Sequence, residues 1–171
     1  MTIRDLLFEA HSKEQTVKIV DHIGSDAKRF RELVDIFFAG PYRLTQRAAW
    51  PLSVVAEKRP ELLRPYLNKL IDQLPKKDVH PAVKRNVVRL LQFVEIPKRL
   101  RGKVYSHCLD LIADPKEPIA VKAFSLTVAE RIAHTEPALL EELRMVAAPL
   151  AKDASPGIKV RLRGILDQSD I

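Results

Sequence analysis

Apolar residues recur along this chain at intervals of three and four, the spacing that gathers side chains on one side of an α-helix. Val83, Val87, Leu90 and Val94 form one such stripe, and Val121, Phe124, Val128 and Ile132 form another. Further helices, each placed before one of these or a similar segment, carry Phe30, Leu33 and Phe37; then Leu63, Leu70 and Leu74; then Leu100, Val104 and Leu111; then Leu139, Leu143, Val146 and Leu150. Helix breakers fall between them, at Gly40-Pro41, at Pro75 to Asp78, at Asp114-Pro115 and at Asp153 to Gly157. The pattern predicts successive helical hairpins.

Proline gives these hairpins a register, because it fits the first turn of a helix and breaks or kinks helices elsewhere. Pro41, Pro81, Pro118 and Pro156 each open an apolar-periodic segment, at spacings of 40, 37 and 38 residues. A basic residue follows each, Arg47, Lys84, Lys122 and Lys159, at spacings of 37, 38 and 37. A period near 38 predicts a solenoid, and Ser155-Pro156 reads as an N-cap followed by a first-turn proline. Residues 1–25 do not follow the period, although Ser12 and Gln15 make a capping-box pattern before Val17, Val20 and Ile23. They read as an N-terminal capping helix pair, since the end of a solenoid must hide an apolar face from water. Residues 26–171 then form the repeat part of a single compact domain.

On these residues the chain resembles the HEAT-repeat, armadillo-like family. An aspartate between the helices of that repeat is followed six positions later by Arg or Lys, as in Asp78 with Lys84 and Asp153 with Lys159. In the other two units Lys116 stands six before Lys122 and Pro41 six before Arg47, so they depart from the signature. The resemblance implies an all-α fold: a right-handed α–α superhelix of about four HEAT-like hairpins plus the N-terminal pair. It also implies that Asp78, Lys84, Asp153 and Lys159 stack repeats rather than form a functional site. A carboxylate near a helix N-terminus accepts free amide hydrogens, and the cation bridges to a carboxylate of its own or a neighbouring unit.

Composition supports a folded core, with 46% hydrophobic and 30% charged residues and only 5 glycines in 171 residues. One cysteine, Cys108, excludes an internal disulfide and suits a reducing cytosol. No apolar run approaches about 20 residues, and Arg4, Asp5 and Glu9 interrupt the start where a secretory signal would be apolar. The expectation is a cytoplasmic protein without membrane contact. The net charge of +7 is uneven: positions 40–110 hold 15 Lys and Arg against 6 Asp and Glu, and the remainder is slightly acidic. That basic middle is either a set of solvated helix faces or a surface for a polyanion.

No catalytic constellation emerges. The chain lacks a glycine-rich phosphate loop, a dinucleotide fingerprint and a nucleophile elbow, and His11, His22, His80, His107 and His134 make no HExxH pair. Catalytic, metal and cofactor sites are therefore expected to be absent. His107 and Cys108 are adjacent, and neighbours on a helix point about 100° apart, which does not suit a nucleophile and its base. Cys108 lies on the stripe between Val104 and Leu111 and reads as a buried thiol. Trp50 aligns with Val87 and Leu162 and reads as core, with Pro51 kinking its helix. Lys98, Arg99, Arg101 and Lys103 open a first helix and are candidate phosphate contacts.

In HEAT-like solenoids the second helices line the concave side, so the row opposite their apolar stripes is the candidate partner-binding face. Starting from Arg85, Arg89 and Gln92, the register gives Ala48, Leu52 and Val55; then Ala123, Thr127 and Glu130; then Val160, Gly164 and Asp167. A nucleic-acid track would repeat cations in every unit, because each phosphate must be neutralised. A mixed face of Leu52, Val55, Arg85, Arg89, Gln92, Thr127 and Glu130 suits a protein or peptide, for which apolar and Arg anchors supply the energy. The sequence thus points to a non-catalytic scaffold for a protein partner. The alternative is a nucleic-acid binder similar to the HEAT-like DNA alkylation-repair proteins, motivated by the basic middle and by Arg161 and Arg163.

Overall fold

The computed structural model describes residues 1–166, and all of their regular structure is helical. The chain divides into two compact units, residues 1–70 and residues from 71 onward. The first contains α1 (Ile3–Glu9), α2 (Lys13–Ile23), α3 (Ala27–Ala39), α4 (Tyr42–Lys58) and α5 (Pro60–Leu63), followed by a 3-10 turn at Arg64–Tyr66. Helix α6 (Leu67–Ile71) spans the division. The second unit contains α7 (Pro81–Leu91), α8 (Lys98–Ala113), α9 (Ile119–Ala133), α10 (Pro137–Ala147), a 3-10 turn at Ala148–Ala151, and α11 (Pro156–Leu162).

The four register prolines act as expected. Pro41 and Pro118 are the N-cap residues of α4 and α9, and Pro81 and Pro156 are the first residues of α7 and α11. A missing N–H costs nothing at a position whose amide has no helical partner. Ser12 caps α2 by accepting from the Gln15 amide at 3.1 Å, but the Gln15 side chain does not complete the box. It donates instead to the Leu6 carbonyl at 2.6 Å and so ties α2 to α1. The complete capping box in this region is Thr2 with Asp5, at the start of α1. Gly24 ends α2 with φ of 53°, a left-handed conformation that favours glycine.

Within the first unit α1 packs on α2, α3 and α4, while α3 and α4 form a close hairpin. Its core is built on Phe30, Leu33, Val34 and Phe37, all fully buried. Burial of each such phenylalanine contributes about 1.5–3 kcal/mol. Arg47 of α4 donates to the Leu7 carbonyl at 2.8 Å and the Phe8 carbonyl at 3.2 Å, occupying oxygens that the last turn of α1 leaves free.

In the second unit α9 is the central helix. It touches α7, α8, α10 and α11, with α8 beside α10, and is accordingly apolar around much of its circumference: Val121, Leu126, Val128, Ala129 and Ile132 are buried. Arg131 reaches from α9 to the end of α7, where it donates to the carbonyls of Leu91 at 3.0 Å, Val94 at 3.3 Å, and Gln92. Cys108 is fully buried on α8, as its place in the stripe predicts.

Within the two signature pairs, neither Asp78 with Lys84 nor Asp153 with Lys159 makes an ion pair among the described residues. Lys84 instead meets Glu117, in the turn before α9, at 2.8 Å with both side chains about nine-tenths buried. The cap at the start of α7 comes from His80, whose Nδ1 accepts from the Ala82 amide at 3.1 Å. Lys84 thus bridges to a carboxylate of the following hairpin, one of the two arrangements that the signature implies, with the partner 33 residues ahead.

Candidate partner-binding surface

The predicted face divides along the unit boundary. In the first unit Ala48, Leu52 and Val55 are buried at 0–1% exposure and cannot meet a partner. The row is displaced: the partly open stripe of α4 runs through Gln46, Trp50 and Val54, two residues before Ala48 and Leu52 and one before Val55. Two helical residues amount to about 200° of rotation, which exchanges the inner and outer sides. Helices α1, α2 and α3 all pack on α4. Trp50, read as core, is half-buried, and its ring stands edge-on to His11 with centroids 5.9 Å apart.

In the second unit the row stands open. Arg85 and Arg89 are exposed one turn apart on α7, with Gln92 half-buried beyond them. The Gln92 amide donates back to the Arg89 carbonyl at 3.2 Å. Neither arginine forms an ion pair among the described residues. On α9, Ala123 is nearly covered, and Thr127 and Glu130 are half-buried. On α11, Val160 is exposed, and just beyond that helix Gly164 stands against Glu130, whose carboxylate lies where a Cβ on that residue would stand. Asp167 lies outside the described residues.

The sequence did not reveal the role of Arg161. Its Nε donates to the Thr127 hydroxyl at 3.1 Å, its Nη1 to the Gly157 carbonyl at 2.8 Å, and the guanidinium lies 5.6 Å from the Phe124 ring centroid. The signal was present as i, i+3 on α9, Phe124 with Thr127, opposite a long cation. Arg161 therefore lies over the part of α9 that had read as neutral, and adds a charge there.

The candidate phosphate cluster is not brought together as a set. Lys98 and Arg99 are exposed at the start of α8, while Arg101 Nε donates to the Ile96 carbonyl at 3.1 Å. Lys103 is paired with Asp72 at 2.6 Å. Titratable groups elsewhere follow from burial. Desolvation pushes the Cys108 thiol up to about 12, which removes the thiolate needed of a nucleophile. The Tyr105 hydroxyl, donating to the Leu139 carbonyl at 2.5 Å, is likewise pushed up to about 12, chiefly by burial. Burial and then Lys103 lower the His107 imidazole, against the opposing pull of Asp110 and Asp72. Among the described residues no cluster of three or more His, Cys, Asp or Glu is arranged for a metal ion, and no helix is long and apolar enough to cross a membrane.

Paired helices in proline-set register, with long cations tying one to another, define a helical-repeat scaffold. A family model described as the HEAT repeat domain matches residues 3–169, and the chain belongs to that family. HEAT repeat domains are in general non-catalytic scaffolds and often mediate protein interactions. No significant match was found among curated proteins or solved structures.

Proposed function

We propose that this protein is a non-catalytic scaffold that binds a protein or peptide partner on the second-helix face of its second unit, through Arg85, Arg89, Gln92, Thr127 and Glu130. The observation supporting this reading is the pair Arg85 and Arg89, exposed on one side of α7 without an acidic partner among the described residues. Guanidinium groups left with unused donors beside half-buried polar side chains are the kind of group that anchors a protein interface. The test is affinity capture from native lysate with nuclease added, comparing the wild-type chain with Arg85→Glu/Arg89→Glu. A protein retained by the wild type and lost from the variant supports the reading; equal retention by both removes this face.

A second reading, a nucleic-acid binder, draws on Lys98 and Arg99 exposed on α8 and on the cations of α7 and α11. It requires that capture disappear with nuclease and that binding of an oligonucleotide weaken steeply with salt. The cytoplasm is the proposed location, on the strength of the single reduced, buried thiol.

A further inference from the structure

Resting on the reading above, we infer that the partner presents an acidic, extended segment, whose carboxylates are received by Arg85, Arg89 and Arg161 along the face of α7, α9 and α11. Arg85 and Arg89 are one helical turn apart, so their side chains start about 6 Å from each other. Alternate residues of an extended chain stand about 6.6 Å apart. Two acidic residues separated by one other thus match the two guanidinium groups, each able to take a carboxylate through two parallel hydrogen bonds. Arg161 is pre-positioned by Thr127, Gly157 and Phe124, and its Nη2 has no protein partner among the described residues. Holding that side chain in place lowers the ordering cost of using it.

Charge alone would also admit a strand of nucleic acid, and two features favour the peptide. Glu130 lies on α9 beside the cations, with His134 Nε2 at 3.6 Å from its carboxylate. A peptide backbone offers N–H groups to that carboxylate, whereas a row of phosphates offers only repulsion. One face of the Phe124 ring is taken by the Arg161 guanidinium and is not open to a stacking base.

The experiment measures fluorescence polarisation of three labelled probes with the full chain: a peptide with Glu at alternate positions, its Gln counterpart, and a single-stranded oligonucleotide of matching length. The expected result is binding of the Glu peptide at about 50 mM salt, little binding of the Gln peptide, and weaker binding of the oligonucleotide. Arg85→Glu/Arg89→Glu should reduce affinity for the Glu peptide about tenfold or more and create binding of a Lys peptide of the same spacing. Both substitutions are at exposed positions, and circular dichroism verifies that the helices persist. No binding of the Glu peptide, equal binding of the Gln peptide, tighter binding of the oligonucleotide, or indifference to the charge reversal would each overturn the inference. Should the Glu peptide fail while the double variant still loses a captured protein, the acidic-segment inference falls and the partner-binding reading stands. If capture is also unchanged, both fall.

Discussion

Replacing Lys84 by Met tests whether the ion pair between α7 and the turn before α9 supports the second unit. Lys84 Nζ and Glu117 Oε1 are 2.8 Å apart, with side chains 11% and 9% exposed, so water screens the pair poorly. Removing the cation leaves the Glu117 carboxylate desolvated without its partner, a change that costs about 3–5 kcal/mol at buried sites. A cavity of about 170 Å³, lined by the pair with His107, Asp110 and Asp114, adjoins it and gives the carboxylate some relief. The lower end, about 3 kcal/mol, is therefore expected for Lys84→Met, equivalent to a fall in Tm of roughly 6–12 °C for a chain of this length. Lys84→Met/Glu117→Leu should recover most of the loss, because the pair as a whole is close to neutral against apolar replacements. The exposed pair Lys103 with Asp72 is the control: it is shorter, at 2.6 Å, yet its side chains are 47% and 50% exposed, and Lys103→Met should cost less than about 1 kcal/mol. Urea unfolding followed by circular dichroism reads all four proteins. A loss below about 1 kcal/mol for Lys84→Met, or no recovery in the double variant, would refute the argument.

Arg131→Ala removes charge-assisted hydrogen bonds to three carbonyls at the end of α7 and should cost about 2 kcal/mol in urea unfolding. Tyr105→Phe deletes the hydrogen bond to the Leu139 carbonyl and should cost about 1 kcal/mol. Cys108, buried and with its thiol pushed up to about 12, should not react with a thiol reagent in the native protein and should react fully once denatured. His107 has a folded pKa below its ordinary 6.5, so the unfolded chain takes the proton first as pH falls. Stability should therefore drop as pH descends through 6.5 and on toward the folded value, and His107→Gln should flatten that part of the profile. The lowered carboxyls of Asp5, Asp26 and Glu14 act in a separate, more acidic window, their contribution being lost below their ordinary values of 3.8 and 4.5.

The hairpin order was legible because its determinants are local. A proline at the first turn and an apolar residue every three or four positions act within one helix, so Pro41, Pro81, Pro118 and Pro156 mark true helix starts without tertiary information. The cation register was regular in sequence and irregular in use. Arg47 serves carbonyls of α1, Lys84 serves Glu117, and Lys122 and Lys159 form no ion pair among the described residues. Equivalent positions in a repeat share a direction, but a long side chain chooses its partner from whatever the neighbouring turn presents. Glu117 is such a partner: it lies in a turn, at a position that helical periodicity does not constrain.

The binding face exposes the sharper limit. A row carried from one repeat to the next depends on the offset, and an error of one or two residues puts Leu52 and Val55 outside when packing puts them inside. The polar stripe of α4 contained the corrective signal, since Arg43, Gln46, Arg47, Trp50 and Glu57 follow one another at helical spacing and all are at least partly open. With Leu52 and Val55 returned to the core, what remains exposed in the row is Arg85 and Arg89 on α7 and Val160 on α11. On the proposed reading such a surface selects mainly by charge, so the spacing of the two guanidinium groups is what distinguishes one acidic segment from another.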